Sequence, residues 1–338
     1  MTVYLALAAV LLTAALLASC WSRPLWSRPR SSRPHSSRPH SSRLRWAGRS
    51  GLVLACVLSV VTAAALQVNE LVQAYPASAP PPPSATSGSR MLTVSVPGKA
   101  SGLTLQMYVY LPAAYRTGAG RYPVIEALHG YPGSPQTWLR RLHVQSYLDQ
   151  EIAAGRMAPT IVLFPYQTPR RLLDTECTNL RNGPPAETFL TVDVPAYARE
   201  HYRVRAGGAA WGLTGYSAGG FCSIDLLLRH PTRYAAAASM SGYASPGIAI
   251  GDGSERTTNN PGWRLRRLPQ PAVSLWLGWA ADDKQSARDS RRLCSESRAP
   301  LSVTTAVVAH GGHSDAVWIQ MEPPAFDWLS AHLARPLP

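Results

Sequence analysis

Apolar positions divide this chain into regions of different character. Val3 to Ser19 is an uncharged apolar run of 17 residues, and Gly51 to Leu66, extended by Val68, is a second. Each approaches the about 20 residues that a membrane-spanning helix needs, although a buried helix would have the same composition. From residue 91 the pattern becomes short apolar runs alternating with segments of helical period. Met91 to Val96 and Leu103 to Leu111 read as paired antiparallel strands, with Pro97-Gly98 opening the turn between them. Tyr122 to Leu128, Thr160 to Pro165, Trp211 to Thr214, Ala235 to Met240, Val273 to Trp279 and Leu301 to Val308 read as further strands. Helices are predicted over Thr137 to Ala154, Phe189 to Tyr202 and Gln285 to Ser297. Another follows Gly219, where Phe221, Ile224, Leu227 and Leu228 fall at helical spacing. Strands alternating with helices predict an α/β domain over 91–338: a mostly parallel sheet with helices on both faces.

The polar intervals set the remaining organisation. Residues 20–49 contain eight Arg and no acidic residue, in a five-residue repeat (WSRPL, WSRPR, SSRPH, SSRPH, SSRLR). Proline every few residues forbids a helix and there is nothing to bury, so the composition predicts a loop without a packed core. Asn69 to Arg90 contains Pro76 and the run Pro80 to Pro83, which marks a linker. The expected domains are therefore a membrane anchor over 1–68 (spans 3–19 and 51–68 around the Arg loop), a linker over 69–90 and a folded domain over 91–338. Arg-rich short loops stay cytoplasmic, which would place the domain outside the membrane. A competing reading makes the first run a cleaved signal, with Leu17-Ala18-Ser19-Cys20 resembling a lipoprotein cleavage box; against it, Met1-Thr2-Val3-Tyr4 lacks a basic start. The net charge of +14 suggests nucleic acid, but outside 20–49 the balance is 25 basic against 19 acidic residues with no aromatic-interleaved basic patch. Nucleic acid is therefore not expected as a partner; contact of the Arg repeat with anionic lipid suits its charge better.

The candidate chemistry centres on Trp211 to Pro231, WGLTGYSAGGFCSIDLLLRHP. A Ser between two glycines, at a turn from strand to helix, is the Gly-x-Ser-x-Gly nucleophile elbow. Small residues on either side let strand and helix approach while the Ser217 hydroxyl stands clear. The same letters also describe a tight glycine-rich turn with a capping Ser. Downstream, Asp282-Asp283 follows the strand Val273 to Trp279, and His310-Gly311-Gly312-His313 follows Leu301 to Val308. That order, Ser then acid then His, is the one an α/β hydrolase requires. Asp283 is favoured as the acid, with Asp282 as a loop residue or the cap of the next helix. His313 is favoured over His310, because Gly311-Gly312 lets its side chain turn toward Ser217. The Ala218 N–H and the Tyr131 N–H, in the loop His129-Gly130-Tyr131, are the expected oxyanion donors. His129 itself is expected to be structural. Such a site cleaves esters at neutral to mildly alkaline pH, where an ordinary histidine is unprotonated.

Cys177, Cys222 and Cys294 lie in the folded domain, so one disulfide among them is expected if the compartment is oxidising; the sequence does not choose the pair. Neither ligand spacing for a metal nor a cofactor motif is present in the sequence, and neither group is expected.

The motifs LHGYPG, DTEC followed by ETFLTVDVP, GYSAGGFC, RHP, SGY and GGH, in that order over roughly 91 to 335, resemble the Putative esterase family. That family includes S-formylglutathione hydrolases, feruloyl esterases and the mycolyltransferases of mycobacterial envelopes, and the chain is most similar to its actinobacterial membrane-anchored branch. The resemblance implies an α/β-hydrolase fold, here preceded by two transmembrane helices, and triad roles for Ser217, Asp283 and His313. It implies a membrane-anchored extracytoplasmic serine esterase acting on a small-molecule or lipid ester. The alternatives are an acyltransferase of cell-envelope lipids or sugars, or a catalytically silent binding domain. The mycolyltransferases use Glu as the acid where this chain offers Asp. Asp174 and Glu176 of DTEC are expected either to line the pocket or to support it.

Overall fold

The computed structural model describes residues 53–65, 67 and 88–337. The chain divides into two units, Met1–Val72 and Gln73–Pro338. In the first, residues 53–65 are helical, with Leu54, Leu58 and Val61 exposed. Among the described residues no helix is long and apolar enough to cross a membrane. The run Val3 to Ser19, the Arg repeat, residues 68–87 and both ends of the second apolar run lie outside the described residues.

The second unit is built on one eight-stranded sheet. Its strands are β1 (Arg90–Pro97), β2 (Thr104–Leu111), β3 (Val124–Leu128), β4 (Ile161–Pro165), β5 (Trp211–Tyr216), β6 (Ala236–Met240), β7 (Ser274–Ala280) and β8 (Ser302–Val308), in the spatial order β1-β2-β4-β3-β5-β6-β7-β8. β1, β2 and β4 pair antiparallel; every pair from β4–β3 to β7–β8 is parallel. Every residue of β3, β4, β5 and β6 is buried, which requires cover on both faces of the sheet. This is why those strands read as continuous apolar runs instead of alternating. Glu126 in β3 is the charged exception. Burial pushes its carboxyl up to about 8, and the Tyr234 hydroxyl donates to it at 3.2 Å.

The covering helices are α1 (Val144–Ala153), α2 (Val194–His201), α3 (Ala218–Arg229), α4 (Pro261–Arg267), α5 (Lys284–Glu296) and α6 (Asp315–His332). α3 packs on β3, β5 and β6, while α6 lies across β5 to β8 with α1 against it. Two expected helices are modified. The segment Thr137 to Ala154 breaks at His143, whose φ of 55° is left-handed, into a short turn Gln136–Arg140 and α1. Residues two apart point to nearly opposite sides of a straight helix; with the break between them, Leu142 and Val144 are both buried. The segment Phe189 to Tyr202 starts earlier, at Ala186–Thr188, and passes through a wide turn at Phe189–Asp193 before α2. Asp193 in that turn accepts from the Ala100 and Ser101 amides, both at 2.9 Å, and so pins the β1–β2 turn. α6 is not among the predicted elements. Pro323 and Pro324 sit inside it and lack the N–H a helix interior uses, yet Val317, Met321, Ala325 and Leu329 keep one apolar face buried through the interruption.

Candidate active site

At the end of β5 the chain reverses through Ser217 into α3. Ser217 has φ 56° and ψ −122°, a conformation that side chains rarely adopt, and its amide donates to the Met240 carbonyl of β6 at 2.9 Å. The turn closes only because its neighbours lack side chains. A Cβ on Gly215 would stand 2.2 Å from the Gly219 carbonyl oxygen, and one on Gly219 would stand 2.2 Å from that of Leu128. The sequence Gly-x-Ser-x-Gly is thus a steric requirement of this strand–helix crossing.

Three of the predicted residues meet here. His313 Nε2 lies 2.8 Å from Ser217 Oγ, and His313 Nδ1 lies 2.7 Å from Asp283 Oδ2. β7 ends at Ala280, and the Asp283 amide donates back to the Ala280 carbonyl at 3.1 Å, so the turn presents the second aspartate to the histidine. Asp283 is also the N-cap of α5, accepting from the Ser286 amide at 3.2 Å. Burial alone would push its carboxyl up; the hydrogen bonds from His313 and Ser286 outweigh that and hold it below the usual carboxylate range. Capping therefore belongs to Asp283, not to Asp282. Asp282 instead accepts from the Gly311 and Gly312 amides at 3.1 and 2.9 Å, which fixes the loop that carries His313. His310 is far out in solvent, with its side chain 89 % exposed and 4.0 Å from Asp282.

Tyr131 and Ala218 both line the cleft into which Ser217 and His313 open, a cavity of about 670 Å³. Among the described residues neither of their amides donates a main-chain hydrogen bond. The loop before Tyr131 is held by Gln167, which sequence reasoning missed. Its Oε1 accepts from the His129 amide at 2.5 Å and its Nε2 donates to the His129 carbonyl at 3.2 Å. His129 is buried, which lowers its pKa to about 4 and keeps it neutral; Nδ1 contacts the Gly130 carbonyl at 2.8 Å. It is a structural residue, as expected.

The far wall of the cleft is built around Glu176. Its carboxylate accepts from the Tyr243 hydroxyl at 2.6 Å and from the Gly247 amide at 2.9 Å, so it holds the Tyr243–Ile248 loop in place. Burial pushes the Glu176 carboxyl up to about 7, and burial likewise raises Asp174, which also lines the cleft. Glu176 thus both lines the pocket and supports it. The adjacent Cys177 forms a disulfide with Cys222 of α3; Cys294 is free and exposed. Among the described residues no cluster of His, Cys, Asp and Glu could hold a metal ion.

Residues 99–333 match the sequence profile of the family described as "Putative esterase". The chain belongs to this family. A curated relative, an uncharacterised protein of Corynebacterium glutamicum, is 25 % identical over 241 residues. That match covers 66 % of this chain and 56 % of the relative, so the chain spans little more than half of the relative's length. Among solved structures, a ferulic acid esterase superposes with a TM-score of 0.64 at 19 % identity, covering 72 % of this chain and 99 % of the other. An S-formylglutathione hydrolase from Agrobacterium tumefaciens gives 0.62 at 12 % identity, covering 74 % and 97 %. MPT51 of Mycobacterium tuberculosis gives 0.57 at 16 %, covering 72 % and 99 %. At these identities the likeness to the solved structures is one of fold, that of an α/β hydrolase.

Proposed function

We propose that this protein is a serine esterase that cleaves carboxylic esters through an acyl-enzyme on Ser217. The observation that carries the proposal is the hydrogen-bonded line from Ser217 Oγ through His313 to Asp283, at 2.8 and 2.7 Å, starting from a hydroxyl held at a left-handed elbow. His313 Nε2 takes the proton as Ser217 Oγ attacks the ester carbonyl. Asp283 accepts from Nδ1–H, fixing the tautomer and balancing the imidazolium. The carbonyl oxygen becomes an oxyanion received by the Ala218 and Tyr131 amides. Collapse returns the proton from His313 to the departing alcohol. Water, activated by the same histidine, then releases the acid. An alcohol in place of water would turn the same intermediate into acyl transfer; with the His313 side chain 41 % exposed, the cleft admits either acceptor.

Location belongs to the same proposal. The Arg-only segment between the apolar runs 3–19 and 51–68 supports an anchored domain outside the cytoplasm, and the Cys177–Cys222 disulfide fits an oxidising compartment. A reporter fused after Pro338 is expected to be active only in an exported form; a signal only from the cytoplasmic form removes the anchoring proposal.

The reaction is tested by intact mass after treatment with a fluorophosphonate, alongside short-chain aryl ester hydrolysis with and without alcohol acceptors. Wild type is expected to label once and to turn over. Ser217→Ala is expected to do neither, with a loss of roughly 10⁶-fold where a triad acts as a unit. Folded protein that neither labels nor hydrolyses any ester would leave a silent binding domain on this fold.

A further inference from the structure

The cleft wall supplied by α5 has a chemistry that the triad does not use. α5 begins directly after its N-cap Asp283, the residue that holds His313, and runs along the cleft from there. Gln285, Arg288, Asp289 and Arg292 all line the cavity with Ser217 and His313. Their spacing, i, i+3, i+4 and i+7, is one face of an α-helix, so a single continuous stripe of α5 forms this wall. At 1.5 Å per residue, Arg288 and Arg292 stand about 7 and about 13 Å along the axis from Asp283.

The two guanidinium groups are only partly balanced. Arg288 pairs through Nε with Asp289 at 3.3 Å and its side chain is 74 % exposed. Arg292 pairs through Nε with Glu296 Oε1 at 3.1 Å, but the same oxygen also accepts from Arg266 of α4 at 2.8 Å. One carboxylate therefore serves two cations. Neither of these pairings uses the paired terminal nitrogens of Arg288 or Arg292, which form the fork that fits carboxylate and phosphate. The surroundings reinforce the excess: α4 and α5 together carry seven Lys or Arg and two acidic residues. The other acids of the cleft are engaged elsewhere: Glu176 accepts from Tyr243 and Gly247, Asp174 from the Glu176 amide, and Asp283, at the head of α5, from His313 and Ser286.

We propose that Arg288 and Arg292 form a subsite for an anionic group, so that the preferred ester carries a carboxylate or phosphate on the part that lies along α5. The proposal deepens the esterase reading and rests on it for the ester, but the anion subsite can be tested without turnover.

The test compares para-acetoxybenzoate with para-acetoxybenzamide, the same ester with and without a negative charge. In wild type the ratio of kcat/KM, anion over neutral, is expected to exceed that in Arg288→Gln/Arg292→Gln by about tenfold, the scale of two solvent-exposed charge pairs. Arg288→Lys/Arg292→Lys keeps the charge and is expected to retain part of the preference. Added NaCl is expected to shrink the wild-type ratio toward that of the Gln variant. In parallel, binding of the two intact esters to Ser217→Ala is measured by titration calorimetry. Tighter binding of the anion, lost when the two Gln substitutions are added, supports the subsite even if wild type cleaves neither ester. Failure to cleave these or any other ester, together with no fluorophosphonate labelling, would sink the esterase reading alone. Circular dichroism and melting confirm that the variants are folded. Equal ratios in wild type and Gln variant, or equal binding of the two esters to Ser217→Ala, overturn the proposal.

Discussion

The Trp318 indole stands edge-on to the His313 imidazole, with ring centroids 5.2 Å apart and planes at 90°. The same indole lies 4.6 Å from the ring of Tyr216, the residue before Ser217. One side chain therefore supports both partners of the Ser217–His313 hydrogen bond. Trp318→Ala is expected to lower kcat by about 10–100-fold, the cost of a small misplacement at a reacting pair. Trp318→Phe keeps an aromatic edge and should retain most of the rate. Both are measured well below their melting temperatures, because emptying this buried position costs stability too. A kcat for the Ala variant equal to wild type would show that His313 needs no such support.

The two neighbouring aspartates should separate cleanly. Asn caps helices about as well as Asp, so Asp283→Asn leaves α5 started while depriving His313 of its carboxylate. Turnover is expected to fall by about 10⁴-fold, as for the equivalent change in a protease triad, with little change in melting. Asp282→Asn weakens the hold on the Gly311 and Gly312 amides and is expected to cost far less. A reversed ranking would mean that Asp282 is the histidine's partner in solution.

Glu176 should leave a mark on the pH dependence of stability. Burial holds its carboxyl at about 7 against an ordinary 4.5. Between those values the unfolded chain ionises before the native one does. The stability Glu176 contributes is therefore whole below about pH 4.5 and drains away as pH rises to about 7. Glu176→Gln removes that slope. Its melting temperature should gain on wild type across this window and then run parallel to it. A difference that stays constant from pH 4 to 8 would contradict a raised carboxyl.

Much of this site was legible because it is local. Gly215 to Gly219 spells its own geometry, and the positions of the acid and the histidine follow from where strands β7 and β8 stop. Choosing between Asp282 and Asp283 depends on a single turn at Ala280, which apolar pattern alone does not resolve. Gln167 gave no signal at all, since it acts on the main chain of a residue 38 positions away. α6 was hidden by Pro323-Pro324, although its apolar face runs straight through them. The stripe on α5 could be written down from the sequence as a helical face; only the tertiary placement of that helix makes it a cleft wall.

The disulfide joins Cys177, beside the cleft-supporting Glu176, to Cys222 of the helix that follows Ser217, across 45 residues of chain. Loop-closure entropy for that length gives at most about 4 kcal/mol of stabilisation. Reduction, or Cys177→Ser/Cys222→Ser, is expected to lower the melting temperature and to lower turnover on larger esters more than on aryl acetates, because the wall around Glu176 loosens. Melting curves with and without a reductant decide it; coincident curves would mean that the bond is not formed in the purified protein.

Asp283 occupies two offices at once, N-cap of a helix and partner of a histidine, with one oxygen for each: Oδ1 faces the Ser286 amide and Oδ2 faces His313. Adding one methylene at the same backbone position would displace the carboxylate from this two-sided geometry. The identity of this acid is therefore tied to where α5 begins. An exchange of Asp for Glu here would therefore act on the start of the helix that walls the cleft as well as on the histidine.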